Sequence, residues 1–581
     1  MLNIHTPYVE ETYDENGRLD TFHLNYPDSF NFGYDCVDKI AAAEPERPAM
    51  VWCNPEGEEH FFSFGDMKEW SDKTAHWLSE QGIGKGDAVM VILRRHYQFW
   101  FVATALHKLG AVMIPATFML KEHDLEYRLK NASVKAVIAT SLGDIAQTVD
   151  NVADACPELA VKILVNGGGG GLFNSTGDAT QATRDARLSG AEGICALSAE
   201  RAGWLDFNTG VRATSATFER RETGATDPAL MYFSSGTTGN PKMVLHDMTY
   251  SLAHIPTAKH WHNVISDGGI HFTIADTGWG KAVWGKYYGQ WLMEACVFTY
   301  DFDRFHPHEI LALIEKYGMT TLCCPPTMYR LMMNEGIDGY DLSSLVYCTT
   351  AGEALNPDLY DKWLAQTGLK LVEGFGQTET VLTICNLKGD EIKPGSMGRP
   401  SPQFNVMLFD GTERHCNPGQ TGEVCIKLED GMTPGIMTEY YRDAEKTADA
   451  MHDGWYHTGD TAWVDEDGYF WYVGRNDDVI KSSGYRIGPF EVESVLLEHD
   501  AVRECAVTGV PDPVRGFAVK ATIVLAPGFT GTDELTKELQ VWTKKRTAPY
   551  KFPRIIDYVE ELPKTVNGKI QRKVIRTADS Q

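Results

Sequence analysis

The segment Tyr232–Leu245 combines residue types that could bind a chain of phosphates. Glycines let the backbone approach an anion closely, hydroxyl and amide groups can bond its oxygens, and a lysine adds positive charge. The spacing differs from the nucleotide-binding loop GxxxxGK[ST], because Gly239 is followed by Asn-Pro-Lys. The apolar run Pro228–Phe233 predicts a buried strand that ends at this loop. We therefore predict contacts to the phosphates of ATP from Ser234, Ser235, Gly236, Thr237, Thr238, Gly239 and Lys242.

Two more loops that follow predicted strands offer groups for the rest of a nucleotide. In the sequence Gly-Phe-Gly-Gln-Thr-Glu of residues 374–379, Phe375 can lie flat on a purine and Thr378 can bond a phosphate oxygen. Glu379 is a hard oxygen ligand suited to Mg²⁺. In an open α/β sheet, ligands bind at the carboxyl ends of the strands, so these loops should converge on one site. The residues predicted for this part of the ATP site are Gly352, Glu353, Glu373, Gly374, Phe375, Gly376, Gln377 and Thr378.

Three later motifs contain polar residues whose role is ambiguous when each is taken alone. Asp460, in Tyr-His-Thr-Gly-Asp, could accept hydrogen bonds from ribose hydroxyls, and Arg475 could bond phosphate or ribose oxygens. A helix-capping aspartate and a surface arginine are the simpler interpretations of these two residues. Lys569, in Pro-Lys-Thr-Val-Asn-Gly-Lys, could equally be a solvated lysine. The stretch Ser482–Glu491 is too particular for an ordinary turn.

Composition and charge exclude several classes of protein. Among the 581 residues, 43% are apolar and 23% are charged, as in ordinary globular proteins. No stretch approaches the roughly 18 apolar residues of a membrane span. The net charge of −27 argues against a nucleic-acid or anionic-membrane partner. The 12 cysteines include no CxxC pair and no signal-peptide pattern is present, so we expect reduced thiols and a cytoplasmic location.

The alternation of apolar runs and helical periodicity predicts an α/β fold with a largely parallel sheet. A helix is expected at Gln98–Leu109, and little regular structure is expected from Asn166 to about Gly224. Short strands predict a β-rich subdomain at about residues 400–476, within an N-terminal domain of residues 1–476. Residues 477–581 predict a small α+β domain. Residues 478–581 contain 16 Lys and Arg against 14 Asp and Glu, whereas residues 1–477 contain 37 against 66. This contrast suggests a module that binds polyanions such as triphosphate or coenzyme A.

Taken together, these motifs occur in the order found in the AMP-forming acyl-CoA synthetases of the adenylate-forming superfamily, which the chain resembles from about residue 30 to 575. Four segments are similar to the medium-chain acyl-CoA synthetase branch. They are residues 275–284, 393–398, 483–493 and 547–554. The resemblance implies a large N-terminal domain of parallel α/β sheets and a small mobile C-terminal domain that turns about a hinge at Asp477.

The resemblance also implies a two-step reaction. A carboxylate first attacks the α-phosphorus of ATP, giving an acyl-adenylate and pyrophosphate, and coenzyme A then takes the acyl group with release of AMP. Lys569 would lie between the carboxylate and the α-phosphate, while Glu379 and Thr237 would hold Mg²⁺, which makes these three the implied catalytic residues. The residues implied for coenzyme A are Ser483, Gly484, Tyr485, Arg486, Arg515 and Lys544.

Trp279, Lys281 and Trp284 are spaced to project from one short segment into the acyl pocket that the resemblance implies. Two indole groups would narrow this pocket, and each excluded methylene costs roughly 0.8 kcal/mol of burial. We therefore expect short or medium chains, with branched or aromatic acids as further options. Lys281 could neutralise the substrate carboxylate or reach solvent, and the tryptophans could also be ordinary core.

Three rival functions share parts of this pattern. The main alternative is an adenylation enzyme that loads a carrier protein. A luciferase-like oxygenase would need features that an acid ligase does not, and a non-catalytic relative should lack Lys569 or Glu379, which are both present. The expected partners are therefore ATP, a carboxylic acid and coenzyme A, with Mg²⁺ as cofactor and with no nucleic acid and no membrane span. A homodimer is one option for the oligomeric state.

Overall fold

The structure is a computed structural model in which the chain forms several packed sheets flanked by helices. The α/β fold class, with a separate small sheet near the C-terminus, is confirmed. Of Arg486, only the backbone is described. The described residues are 2–167, 194–234, 240–412, 414–429, 433–476, 478–482, 485–564 and 570–579.

The helices are distributed along the whole chain. They are α1 (Lys39–Ala43), α2 (Phe64–Glu80), α3 (Gln98–Leu109), α4 (Glu122–Asn131), α5 (Ile145–Ala153), α6 (Phe207–Ala213), α7 (Thr249–Leu252), α8 (Gly280–Lys286), α9 (Tyr288–Leu292), α10 (Pro307–Tyr317), α11 (Pro326–Glu335), α12 (Pro357–Thr367), α13 (Ala444–Ala450), α14 (Pro489–Leu497), α15 (Asp533–Arg546) and α16 (Arg572–Asp579).

The strands up to the phosphate loop are β1 (Val9–Tyr13), β2 (Leu19–Leu24), β3 (Pro48–Cys53), β4 (Glu59–Ser63), β5 (Ala88–Ile92), β6 (Val112–Pro115), β7 (Ala136–Thr140), β8 (Val161–Val165), β9 (Leu205–Asp206) and β10 (Pro228–Ser234). Those that follow are β11 (Lys242–Asp247), β12 (Ile270–Thr273), β13 (Cys296–Tyr300), β14 (Thr321–Cys323), β15 (Tyr347–Thr350), β16 (Leu371–Gly376), β17 (Leu382–Cys385), β18 (Arg399–Pro400), β19 (Val406–Phe409), β20 (Thr421–Lys427), β21 (Glu439–Tyr440), β22 (Met451–His452), β23 (Trp455–Val464), β24 (Phe470–Arg475), β25 (Ile480–Ser482), β26 (Tyr485–Ile487), β27 (Val502–Asp512), β28 (Gly516–Leu525) and β29 (Ile555–Tyr558).

Two large sheets carry most of the N-terminal part of the chain. An eight-stranded sheet has the order β21-β11-β10-β6-β5-β7-β8-β9, and a nine-stranded sheet has the order β18-β17-β16-β15-β14-β12-β13-β3-β4. In both, the central strands pair in parallel. Four of the five residues of β5 are buried. Burial on both faces of a parallel strand explains why its sequence is an uninterrupted apolar run.

Two smaller sheets follow. One contains β19, β20, β23 and β22 in that order with β24 on β23, and the other contains β26, β25, β28 and β27 in that order with β29 on β28. The helix α14, which packs on this sheet, contacts the rest of the protein through a hydrogen bond of 3.0 Å from the Asn356 amide to the Ser494 carbonyl, and through the ring of Phe490, whose centroid lies 6.4 Å from that of Tyr472. The boundary at residue 477 stays a prediction, and it falls between the end of β24 and the start of β25.

Two local expectations need correction. The Asp460 motif lies inside β23, which begins at Trp455, so the interpretation of Asp460 as a helix cap is wrong. The region from Asn166 to Gly224 contains β9 and α6. Phe207 of α6 is buried edge-to-face against Trp77 of α2, with ring centroids 5.9 Å apart. A helix this short is missed because periodicity is recognised only over about 11 residues or more.

A buried lysine links α2 and α3 to the N-terminal segment. The Lys108 ammonium is fully buried and donates to carboxylates of Asp38 and Asp72, at 2.6 Å each.

Lys108→Ala should leave these two carboxylates without the Lys108 ammonium and destabilise the protein by about 3–5 kcal/mol. The readout is the midpoint of thermal unfolding. In the matched control Lys73→Ala, which breaks the surface pair with Glu69, the loss should be about 0.5 kcal/mol. Equal losses in the two variants would contradict the structural role of Lys108.

Candidate active site

The predicted phosphate loop joins β10 to β11, which form an antiparallel pair. Ser234, the last residue of β10, lies opposite Lys242, the first residue of β11. The sheet therefore holds the start and the end of the loop side by side. The contacts to ATP predicted for the whole loop stay predictions. Five of its residues lie outside the described part of the chain, namely Ser235, Gly236, Thr237, Thr238 and Gly239.

Lys242, Glu379 and Tyr440 form a polar cluster beside this loop. The carboxylate of Glu379 accepts hydrogen bonds from the Ser234 hydroxyl at 3.3 Å and from the Tyr440 hydroxyl at 3.0 Å. The ammonium of Lys242 donates to the same Tyr440 hydroxyl at 3.3 Å and lies 4.4 Å from the centroid of its ring. Tyr440 reaches this position because β21 pairs with β11. The structure thus brings two predicted ATP-site groups together through a phenol that the motifs did not include.

The electrostatics of this cluster favour an anion. Burial lowers the pKa of Lys242, the carboxylate of Glu379 opposes that change, and the positive charge of Arg475 adds to it. Two cations that repel each other in the free protein are both stabilised once a polyanion lies near them. The arrangement is therefore suited to a ligand that carries several negative charges.

The Gly-Phe-Gly-Gln-Thr-Glu segment begins in β16, where two glycines are required by close neighbours. A Cβ atom on Gly376 would lie 2.4 Å from the Trp284 ring, and one on Gly374 would lie 2.8 Å from the ring of Trp261. Phe375 is half-buried, with its ring centroid 6.2 Å from that of Tyr472. This geometry fixes the strand end tightly against the aromatic side chains beneath it.

A histidine of β11 forms a hydrogen bond with the backbone of Thr378. The His246 imidazole donates from Nε2 to the Thr378 carbonyl at 2.8 Å. Burial lowers the pKa of His246 to about 4, so this imidazole is neutral at physiological pH. The loop that precedes Glu379 is therefore positioned by an uncharged donor.

Hydrogen bonds between Gln377 and β23, the strand that carries Asp460, connect the loop after β16 to the β19–β24 sheet. The side-chain amide nitrogen of Gln377 donates to Asp460 and to the Thr458 carbonyl. The oxygen of the same amide accepts a hydrogen bond from the Tyr456 hydroxyl at 2.7 Å. A second hydrogen bond reaches Asp460 from the Tyr472 hydroxyl at 3.0 Å. Burial raises the pKa of Asp460, and a nearby arginine, described next, opposes this.

Arg475 lies opposite Asp460 in the β23–β24 pair. Its positive charge lowers the pKa of Asp460. Fifteen residues separate the two in sequence, yet the strand pairing makes them neighbours. The structure therefore brings the two residues together. Asp460 caps no helix, whereas Arg475 is exposed, in agreement with its simpler interpretation as a surface arginine.

The loop after β15 is also near this site. Gly352 has φ of +97°, a conformation that favours glycine, whereas the exposed Glu353 accepts a hydrogen bond from the Thr327 hydroxyl at 2.7 Å. Glu373 is buried, and one of its oxygens accepts the amide of Leu355 at 3.1 Å. Burial raises the pKa of Glu373 to about 8. Its carboxyl group is therefore largely protonated at neutral pH.

The predicted acyl-pocket residues lie at the start of α8. The Lys281 ammonium donates to the Ala351 carbonyl at 2.9 Å, next to Gly352. Trp284, one helical turn on, is buried and donates from its indole nitrogen to the Tyr250 hydroxyl at 2.8 Å. Trp279 precedes the helix and is half-buried. Lys281 therefore contacts the loop after β15, and Trp284 contacts the end of β16.

Of the predicted coenzyme A residues, Tyr485 belongs to the C-terminal sheet, Arg515 directly precedes its strand β28, and Lys544 belongs to α15. Ser482 pairs with Tyr485 of β26 and with Gly516 of β28, so Arg515 lies near these two strands. The exposed ring of Tyr485 stacks on Tyr550 with centroids 3.9 Å apart. Lys544, at the end of α15, lies 5.6 Å from the ring centroid of Phe552 in the same segment as Tyr550. Asp477, Ser483, Gly484, Lys569 and the side chain of Arg486 lie outside the described part of the chain.

Four tyrosines in the site were missed by sequence reasoning. Tyr456 could have been found, because it is the first residue of the Tyr-His-Thr-Gly-Asp motif that ends at Asp460. The other three contact the site only through strand pairing or helix packing, and their sequence surroundings carry no signal. They are Tyr250, Tyr440 and Tyr472.

Comparison with known proteins identifies the family. The sequence pattern described as AMP-binding enzyme matches residues 37–441, and that described as AMP-binding enzyme C-terminal domain matches residues 491–569. The chain belongs to the AMP-binding enzyme family. The resemblance to the AMP-forming acyl-CoA synthetases is thereby confirmed, and the protein is an enzyme of the acid–thiol ligase type.

Relatives within the AMP-binding enzyme family are similar along nearly the whole chain. Acyl-coenzyme A synthetase ACSM5, mitochondrial, of Homo sapiens is 40% identical over 562 residues, covering 95% of this chain and 91% of that protein. ACSM3, mitochondrial, of Homo sapiens is 38% identical over 564 residues, covering 96% and 90%. These relatives favour coenzyme A over a carrier protein as the acyl acceptor.

Solved structures of the AMP-binding enzyme family share the fold. The anthranilate CoA ligase AuaEII in complex with anthranoyl-AMP has a TM-score of 0.83 and 26% identity, covering 96% of this chain and 98% of that one. A Brucella canis acyl-CoA synthetase has a TM-score of 0.68 and 29% identity, covering 96% and 95%. Among the helices of the described residues, none combines the length and apolar character needed to cross a bilayer.

The buried carboxyl of Glu373 gives a pH-dependent prediction. Above about pH 4.5 the unfolded chain loses this proton, whereas the folded protein keeps it up to about pH 8, so the native state loses stability across that interval. Glu373→Gln keeps an acceptor for the Leu355 amide and removes the effect. Its thermal midpoint should therefore exceed that of the wild type increasingly from pH 5 to pH 8. A constant difference at all pH values, as expected for the exposed control Glu353→Gln, would contradict this.

Proposed function

We propose that this enzyme activates a short- to medium-chain carboxylic acid with ATP and transfers the acyl group to coenzyme A, releasing AMP and pyrophosphate. The observation that carries the proposal is the position of Trp284. Its indole ring lies against Gly376, the last residue of β16, directly before the loop that carries Gln377 and Glu379. In this proposal the acid lies against a bulky wall beside the phosphates.

The first step must overcome repulsion between a carboxylate and a polyanion. Cations that interact more strongly as charge moves onto the leaving pyrophosphate supply most of the stabilisation. Lys242 is already placed at the end of the phosphate loop, and Lys569 would contribute at the α-phosphate. Asp460 and Arg475 would hold the ribose and an adjacent oxygen, which fixes the α-phosphorus relative to the acyl pocket.

The donor set near Lys242 fits Mg²⁺, because Glu379 and Ser234 offer carboxylate and hydroxyl oxygens 3.3 Å apart. Glu379, with the hydroxyl of Thr237, would hold the ion. Bound there, Mg²⁺ would neutralise charge on the phosphates. Tyr440 would keep the Glu379 carboxylate in position through its hydrogen bond of 3.0 Å.

The second step requires the C-terminal sheet to turn about Asp477. Rotation would break the contacts of α14 with the rest of the protein, among them the Asn356–Ser494 hydrogen bond and the packing of Phe490 on Tyr472. It would bring the Ser483–Arg486 turn, with Arg515, towards the acyl-adenylate. A cytoplasmic location and a homodimer also stay predictions, which subcellular fractionation and light scattering would test.

Substitution of Lys569 should affect the two half-reactions differently. Lys569→Ala should lower the rate of adenylation by about 10²–10³, as for other lost charge-stabilising groups. Transfer of the acyl group from pre-formed acyl-adenylate to coenzyme A should survive. The measurements are pyrophosphate release and thioester formation, with Lys564→Ala as a control that removes a neighbouring lysine paired to Glu504. A parallel loss of both half-reactions would contradict the two-conformation mechanism.

Trp284 should set chain length. Trp284→Ala would open space beside Gly376, so a longer acid gains burial and the selectivity for longer straight-chain acids should rise about 10-fold or more. The measurement is kcat/KM across a series of straight-chain acids. Trp291→Ala is the matched control, because that buried indole bonds the Ala49 carbonyl away from the site. If Trp284→Ala lowered kcat/KM uniformly, as expected for Trp291→Ala, the pocket would have to lie elsewhere.

A further inference from the structure

A second group of potential ligands lies on the sheet that carries Asp460. Glu423 and Cys425 occupy alternate positions of β20 and so face the same side, and His457 of β23 lies opposite Cys425. The Cys425 sulfur is 3.4 Å from Nδ1 of His457, which is 3.4 Å from a Glu423 carboxylate oxygen. Among the described residues, this is the one group of three such side chains whose ligand atoms all lie within 4.8 Å of one another.

These separations fit a tetrahedral metal ion. Zinc bonds sulfur at about 2.3 Å and nitrogen or oxygen at about 2.0–2.2 Å, so its ligand atoms lie about 3.3–3.6 Å apart. The two measured distances of 3.4 Å fall within that range. Thiolate, imidazole and carboxylate are also the ligand types that zinc uses in proteins. Mg²⁺, which requires oxygen ligands, does not fit this site.

Neighbouring groups hold two of the three ligands in place. The second oxygen of Glu423 accepts the Gly459 amide at 2.9 Å, which leaves the first oxygen turned towards His457. The His457 ring stacks on that of His452 with centroids 3.9 Å apart and planes 14° apart. Such supporting contacts fix ligand orientation in metal sites.

Access to the group is open on one side. Cys425 is buried, while the side chains of Glu423 and His457 are 25% and 15% exposed. An ion could therefore enter from solvent and keep a water as its fourth ligand.

We propose that Glu423, Cys425 and His457 form a binding site for Zn²⁺ or a similar thiophilic divalent ion. Binding displaces the thiol proton of Cys425 to solvent, so affinity rises with pH. The ion would tie β20 to β23 three residues before Asp460, and Gly459, which bonds Glu423, directly precedes that aspartate. Occupancy should thus stabilise the strand that carries Asp460.

The test uses the full-length protein, reduced and freed of metal by dialysis against a chelator. Co²⁺ should give the near-ultraviolet absorption of a cobalt–thiolate bond, and Zn²⁺ should abolish it by displacement. Zn²⁺ should also raise the thermal midpoint. Cys425→Ser should lose the absorption, whereas the matched control Cys156→Ser, which removes another buried thiol, should keep it.

Glu423→Gln provides a second, milder variant that retains the thiol. It should keep the cobalt–thiolate absorption and weaken metal affinity by about 10–100-fold, a loss typical of perturbed metal sites. The proposal is overturned if Cys425→Ser keeps the absorption, or if the wild type binds only with a dissociation constant above about 1 mM, which corresponds to a weak contact of about 4 kcal/mol. Either result would mean that the three side chains are merely hydrogen-bonded neighbours.

Discussion

The amide of Gln377 joins the two parts of the protein on which the nucleotide site depends. It belongs to the loop after β16, yet its hydrogen bonds go to Asp460, Thr458 and Tyr456 of β23. An amide can donate and accept at once, so one side chain satisfies both a buried carboxylate and a buried phenol. Without this link, the residue expected to hold the ribose would have no fixed position relative to the phosphate loop.

Two charged residues near that link, Lys242 and Asp460, are at least partly buried in a way that disfavours their charged forms in the free protein. Burial shifts the pKa of Lys242 downwards and the pKa of Asp460 upwards, so each charged form is disfavoured by its surroundings. In the proposed complex, a nucleotide would reverse this penalty by supplying phosphates for the cation and hydroxyl donors for the carboxylate. The free energy that this burial costs in the free protein would be recovered on binding, where it would favour the affinity for the substrate and its orientation.

Steric limits decide what can lie next to the phosphates. Gly376 has room for no side chain because the Trp284 ring occupies the adjoining space, and Trp284 is itself held by Tyr250. Lys281, on the same helical face, is tied to the backbone beside Gly352. The helix α8 therefore contacts both the loop after β15 and the end of β16, so a substitution in α8 should affect both.

Local sequence determined the parts of this protein that depend on neighbouring residues. The bounds of α3 agree with its periodicity, and β5 and β10 agree with their apolar runs, because burial of a regular element leaves its period in the sequence. The motifs also named Ser234, Lys242, Glu379 and Asp460, which the fold brings to one place. Only the tertiary structure placed Tyr440 between Lys242 and Glu379, and only strand pairing brought His457 to Cys425. Such contacts join residues far apart in the chain, and a contact that depends on how sheets pair leaves no periodic or local trace in one sequence.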